Sequence, residues 1–380
     1  MGNVRTRGEH SAECDKQVAR WPAGENGLVW YVPDEQPFKL VGFPWFSQDR
    51  VYRRLPLKTP RPLPPAVERL AWCCAGGQVK FTSDTDKLVV KVKLREPFGI
   101  DCQPFASPYG PEHMAQTGVS GFDLYIGAPG KEAFYGVTRF PSGAGEYRCQ
   151  LLGRSGREPL HFTLNFPLFN GVNEMLIGLS AGASVQGPPA YRLDKPVVVY
   201  GTSITHGGCA ARPGSCYTNI LARRLNVPFI NLGFSGSGKG EPEVAEAVAL
   251  VGDPAMFILD YEANCRQEDI ARTMTDFIAI LRGRHREVPI MVVSKIRFAM
   301  EAIRSEPGEQ ESREKCKAIQ KDLVKTLRTA GDKHLQFLDG STLLGTNYDE
   351  CTVDGIHPTD LGFFGMAEGM CPIVEKLLFG

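Results

Sequence analysis

Residues 197–207 read Val-Val-Val-Tyr-Gly-Thr-Ser-Ile-Thr-His-Gly, a short apolar run that stops at glycine and gives way to hydroxyl residues. An apolar run without alternation suits a strand buried on both faces, which is the environment of a parallel sheet covered by helices. The chain beyond it repeats that unit. Helical spacing at 217–225 is followed by an apolar run at 229–232, then helix at 241–250 and strand at 256–261. A long amphipathic helix at 267–284, a strand at 289–294, a helix at 313–330, a strand at 335–338 and a closing helix at 359–378 complete the pattern. Five strands alternating with helices predict a three-layer α/β/α fold with a parallel sheet. Ligands in such sheets bind at the carboxyl ends of the strands, so the chemistry belongs in the loops that follow them.

Upstream of 197 the grain is different. Residues 78–94 read as two alternating strands around Ser83-Asp84-Thr85-Asp86, and 122–126, 133–137, 146–152, 161–164 and 174–179 continue the pattern. Regularly spaced short strands with little helical periodicity predict an antiparallel β-sandwich. Residues 58–65 hold four prolines and form a connector, because proline removes a ladder donor. The expected organisation is a tail at 1–24, a sandwich domain at 25–193 and an α/β domain at 194–380.

Composition narrows the function. The 380 residues carry 43 Lys+Arg and 43 Asp+Glu, a balance that supplies no global field for nucleic acid or an anionic membrane. No run approaches the ~20 apolar residues of a membrane-spanning helix. Residues 1–20 hold seven charged side chains and no apolar core, so they do not read as a secretory signal, and the expected location is cytoplasmic. Met1-Gly2-Asn3 with Thr6 matches the loose N-myristoylation pattern, at the level of a chance match. Eleven cysteines, an odd number without paired spacing, read as small buried hydrophobes rather than a disulfide framework or zinc cage. No cofactor or metal is expected.

Two loops carry candidate chemistry. Ser203 lies two residues past the first parallel strand, and Asp354 stands three residues before His357 in the last loop. A serine hydroxyl is a poor nucleophile until a neighbouring base takes its proton, and a histidine needs a carboxylate to hold its ring. The same residues also fit plain helix caps. The second loop, Gly233-Phe234-Ser235-Gly236-Ser237-Gly238, can present backbone N–H groups to an oxyanion, and Asn264 in the third loop can donate its amide. Tight turns and a helix cap would use these residues equally well. His206 and Arg212, close to Ser203 in the chain, are candidate substrate contacts. His113, His161, His285 and His334 lack partner patterns and read as structural. Residues 236–240, Gly-Ser-Gly-Lys-Gly, lack the spacing of a phosphate loop.

Taken together these blocks resemble the SGNH (GDSL-like) hydrolases, and in particular the branch with an N-terminal β-sandwich named for its Gly-x-Asp-Leu-Tyr motif. The matching pieces are Gly121-Phe122-Asp123-Leu124-Tyr125, GTSIT at 201–205, NLGFSG at 231–236 and DGIHPTDLG at 354–362. The likeness runs from about Trp30 onward. It implies Ser203 as nucleophile, His357 as general base and then acid, and Asp354 as its orienting partner. It also implies an oxyanion hole made of the Ser203 N–H, the Gly236 N–H and the Asn264 amide. Two positions depart from the pattern: Thr202 replaces a usual aspartate, and Glu262-Ala263 precede Asn264 where many relatives have glycine or proline. The implied activity is hydrolysis of a short acyl ester, O-acetyl above all, of a sugar or polyol. Acyl transfer to a metabolite hydroxyl at the same site is the alternative, and a carbohydrate-binding protein with a degenerate hydrolase domain is a third reading.

Overall fold

The computed structural model describes residues 27–95, 112–303 and 307–380; the expected tail at 1–24 lies outside them. The N-terminal half holds two antiparallel sheets. The first runs in the order β1 (Leu28–Tyr31), β9 (Val172–Ser180), β4 (Lys87–Leu94), β7 (Glu146–Gly153). The second runs β10 (Val185–Gln186), β3 (Gln78–Ser83), β8 (Leu160–Asn165), β5 (Asp123–Ile126), β6 (Ala133–Val137), with β2 (Lys39–Val41) also pairing β3. Alternation sets the inner faces: Leu88, Val90 and Val92 of β4 meet Val79 and Phe81 of β3, Phe162 and Leu164 of β8, and Ile177 and Leu179 of β9 in one buried cluster. The edge strands β1, β2 and β10 were not legible in the sequence, being too short to show a period.

The C-terminal half is the parallel sheet. Its strands are β11 (Val197–Gly201), β12 (Phe229–Gly233), β13 (Met256–Asp260), β14 (Ile290–Val293) and β15 (Leu335–Leu338), in the order β12-β11-β13-β14-β15. Val197, Val198 and Val199 are fully buried, as are Phe257, Ile258 and Leu259 beside them. Helices fall between and after the strands, among them α1 (Ser203–His206), α2 (Tyr217–Leu225), α3 (Pro242–Val248), α4 (Gln267–Arg284), α5 (Pro307–Thr329) and α6 (Asp360–Phe379). α4 buries Ile270, Met274, Phe277, Ile278 and Leu281 at three- and four-residue spacing, as its amphipathic pattern requires. α5 begins earlier than the sequence pattern indicated, at Pro307. The chain leaves β11 first for β12 and then crosses back to β13. The resulting switch point opens a crevice at the carboxyl ends of these strands, where Gly201, Gly233 and Asp260 lie level in register.

The two halves pack as one body. Leu55, Val67, Leu70, Met114, Val119, Leu168 and Phe169, all upstream of 194, belong to the hydrophobic core of the parallel sheet. Arg54 penetrates this junction with no exposed surface. Its guanidinium donates to the carbonyl oxygens of Leu70, Cys73, Asn231 and Gly233 at 2.7–3.1 Å, tying the N-terminal half to the end of β12. Asp123 makes a second tie. Its buried carboxylate accepts from Asn165 Nδ2 on the neighbouring strand and from the Gly214 N–H, both at 2.7 Å, and pairs with Arg212 at 3.3 Å. The Arg223 guanidinium lies 3.9 Å from the Tyr125 ring centroid. The Gly-x-Asp-Leu-Tyr segment is thus a latch onto the loop that follows Ser203.

Candidate active site

β11 ends in a turn that only glycine can make: a Cβ on Gly201 would stand 2.5 Å from the Asp260 carbonyl oxygen. Thr202 is extended, and its hydroxyl accepts the Ile204 N–H at 3.3 Å, capping the single turn of α1 that begins with Ser203. Gly207, with φ +101°, reverses the chain, and the amides of Gly207 and Gly208 donate to the Ser203 carbonyl at 3.1 and 2.8 Å. Ser203 is therefore held in a closed loop at the carboxyl edge of the sheet.

The last loop comes to meet it. Asp354 Oδ1 accepts the N–H groups of Ile356 and His357 at 3.0 and 2.7 Å, a turn that swings the His357 ring back beside its own aspartate. His357 Nδ1 lies 2.7 Å from Asp354 Oδ2, and Nε2 lies 2.8 Å from Ser203 Oγ. Burial works to raise the Asp354 carboxyl, but the His357 ring and the two amides outweigh it and hold the group well below the usual carboxylate range. An ionised carboxylate only accepts, so Nδ1 carries the proton and Nε2 is left to receive one from Ser203.

The remaining expected residues fall into two sets. Gly236 is exposed with φ +66°, and a Cβ there would meet nothing within 4 Å. Asn264 ends the turn Glu262–Asn264, and its amide donates to the Ser237 carbonyl, which joins the second and third loops. The departure at Glu262 has a structural reason. Its buried carboxylate accepts the Lys295 N–H at 2.7 Å and Gln320 Nε2 at 2.6 Å, anchoring the turn that carries Asn264. Among the described residues, neither the Ser203 nor the Gly236 N–H has a protein acceptor.

Two expectations need correction. His206 has no exposed surface: its Nε2 lies 2.8 Å from the Leu168 carbonyl, its ring stacks on Phe169, and burial beside Arg54 pushes its pKa well down. It is a core histidine and cannot touch substrate. Arg212 is turned toward the sandwich, paired with Asp123, bonded to the Tyr125 hydroxyl and packed 3.9 Å from the Phe134 ring centroid. Conversely, His113, which the sequence leaves without a partner pattern, places its Nε2 3.8 Å from Asp354 Oδ2 and its ring centroid 5.5 Å from that of His357. It reaches the site from the N-terminal half, and no local pattern announces it. All nine cysteines of the described residues are free, six of them buried. No helix among these residues is long and apolar enough to cross a membrane.

Both halves of the chain match known proteins. The sequence profile of the GDSL-like lipase/acylhydrolase family matches residues 194–375, and that of the N-terminus of SGNH-hydrolase-type esterases, GxDLY, matches residues 28–185. A protein described as a GDSL-like lipase from Bacteroides ovatus is 30% identical, with 92% of this chain and 98% of that one covered at a TM-score of 0.81. The chain belongs to the GDSL-like lipase/acylhydrolase family. As an SGNH/GDSL-type esterase it is a carboxylic ester hydrolase by family. Its whole-chain fold also recurs in a salicylyl-acyltransferase from a tetracycline biosynthetic pathway, at 17% identity, TM-score 0.69, and coverage of 93% and 98%. A family two carbohydrate esterase from Cellvibrio japonicus shares the fold at 13% identity, TM-score 0.57, and coverage of 92% and 98%. No curated protein matches this GDSL-family chain at a significant level.

Proposed function

We propose that the protein is a serine esterase that removes a short acyl group, O-acetyl above all, from a sugar or other polyol. The single observation that carries the reading is the unbroken relay Ser203 Oγ, His357, Asp354, at 2.8 and 2.7 Å. Ser203 Oγ attacks the ester carbonyl as its proton passes to His357 Nε2, and Asp354 stabilises the imidazolium that results. The N–H groups of Ser203 and Gly236 and the Asn264 amide receive the oxyanion. The carbon–oxygen bond to the alcohol then breaks, and His357 returns the proton to the departing oxygen. Water, deprotonated by His357, attacks the acyl-Ser203 ester and releases the acid. The short acyl group and the sugar are supported by the fold that the whole chain shares with a family two carbohydrate esterase.

The test is a p-nitrophenyl ester series from acetate to octanoate, followed by acetylated sugars. Turnover that is highest on acetate and lost in Ser203→Ala supports the reading, and rates that climb with chain length overturn the short-acyl assignment. Likeness of the whole chain to a salicylyl-acyltransferase keeps transfer to a hydroxyl acceptor as the second reading. Product analysis with a polyol acceptor separates them, because transfer that outruns hydrolysis decides for the transferase.

A further inference from the structure

We propose that His113, Cys209 and His357 form a site for a borderline-soft divalent cation, with zinc as its representative, and that occupation of this site switches the esterase off. The switching half rests on the triad reading above; the binding half does not. One ligand atom from each of the three side chains can be chosen so that all lie within 4.8 Å of one another. They arrive from three separate parts of the chain: His113 from the N-terminal half, Cys209 from the loop after α1, and His357 from the loop before α6.

The donor chemistry is selective. Two imidazoles and a thiolate suit zinc, whereas magnesium and calcium require oxygen donors. Zinc–nitrogen and zinc–sulfur bonds of ~2.0–2.3 Å place tetrahedral ligands about 3.3–3.6 Å apart. Side-chain rotations that draw the three atoms together by about 1 Å reach that geometry. Asp354 Oδ2, 3.8 Å from His113 Nε2, stands beside the cluster as a fourth oxygen donor. Cations can enter, since the side chains of His113, His357 and Asp354 retain 22%, 15% and 30% of their surface. Binding exchanges the Cys209 thiol proton for the metal and releases that proton to solvent.

His357 cannot ligate and catalyse at once. Coordination through Nε2 occupies the lone pair that takes the Ser203 proton. Coordination through Nδ1 displaces the proton that Asp354 holds, and the ring loses its orientation. Either way the nucleophile is left without a base. Because His113 belongs to the N-terminal half, the bound cation would also cross-link the two halves of the molecule over the site.

The binding test uses Ser203→Ala, which keeps all three ligands and removes turnover from the readout. Titration with zinc chloride against a chromophoric chelator should give one zinc per chain at micromolar affinity or tighter. Cys209→Ala and His113→Ala, each added to Ser203→Ala and checked for native circular dichroism, should weaken it at least tenfold. Cobalt in place of zinc should show a thiolate charge-transfer band that Cys209→Ala abolishes. No binding at 100 µM free zinc (roughly the weak end for a three-ligand site), or equal binding by both variants, overturns the site. For the switch, zinc should inhibit the wild-type enzyme, a chelator should restore it, and Cys209→Ala should require at least tenfold more zinc. Stoichiometric binding with undiminished turnover overturns the switch alone. An enzyme inactive on every ester overturns the function reading, and the chelator titration still decides the metal site.

Discussion

Replacing Arg54 by methionine is the sharpest probe of how the two halves cooperate. Methionine fills most of the arginine volume with an apolar stem, so the change removes the cation and its bonds with little cavity. Arg54 is fully buried and has no carboxylate partner among the described residues; four carbonyl oxygens take its place. Losing four bonds to buried carbonyls, of which the Leu70 oxygen keeps the Cys73 N–H, costs about 1–1.5 kcal/mol each, or about 4–6 kcal/mol in all. Against this stands the relief of no longer burying a cation, which amounts to several kcal/mol per ion. The balance is a loss of about 2–4 kcal/mol in unfolding free energy, read by urea denaturation followed by circular dichroism. Activity should suffer as well. Asn231 and Gly233, which accept two of these bonds, lead directly into the loop that carries Gly236. A loop shifted by ~1 Å can cost about 10²-fold in rate, so kcat should fall 10- to 100-fold with KM nearly unchanged. Stability within 1 kcal/mol of wild type together with an unaltered kcat would mean that Arg54 does not hold the two halves together (a margin of roughly one ordinary hydrogen bond).

Other outcomes follow from the same contacts. Asp123→Ala strips acceptors from Asn165, Gly214 and Arg212 and should lower stability by about 3 kcal/mol in chemical denaturation, with Asp123→Asn less damaging. If Asn264 is the oxyanion donor proposed above, Asn264→Ala should reduce kcat by ~10²–10³ while leaving the fold intact by circular dichroism. Burial lifts Asp260 to about 6 in spite of hydroxyl bonds from Tyr217 and Thr205. Between about pH 4 and 6 the folded chain therefore binds more protons at this group than the unfolded chain, and its contribution to stability falls as pH rises. Relative to wild type, Asp260→Asn should gain up to about 3 kcal/mol from pH 4 to pH 7 in denaturant titrations. A flat difference across that window would contradict the raised value.

The parallel strands were legible because strands buried on both faces are written as continuous apolar runs, as in Val197–Gly201 and Met256–Asp260. The loops were legible for a related reason. Once the sheet is assigned, Ser203, Gly236, Asn264 and His357 must emerge at one edge, whatever their distance along the chain. What could not be read is tertiary. His206 follows Ser203 closely and looks available, but Leu168 and Phe169 close over it from the N-terminal half. Arg212 resembles a surface cation until Asp123 takes it. Arg54 and His113 act across gaps of 177 and more than 200 residues, and neither sits in a pattern that marks it. The short strands Leu28–Tyr31 and Lys39–Val41 owe their state to their partners β9 and β3, not to any period of their own.

Whether Ser203 is a nucleophile activated by His357 is decided by a fluorophosphonate label read by intact-protein and peptide mass spectrometry. One covalent adduct per chain is expected on Ser203, absent from Ser203→Ala and strongly slowed in His357→Ala. An adduct on another residue, or labelling of Ser203 at the same rate without His357, would contradict it.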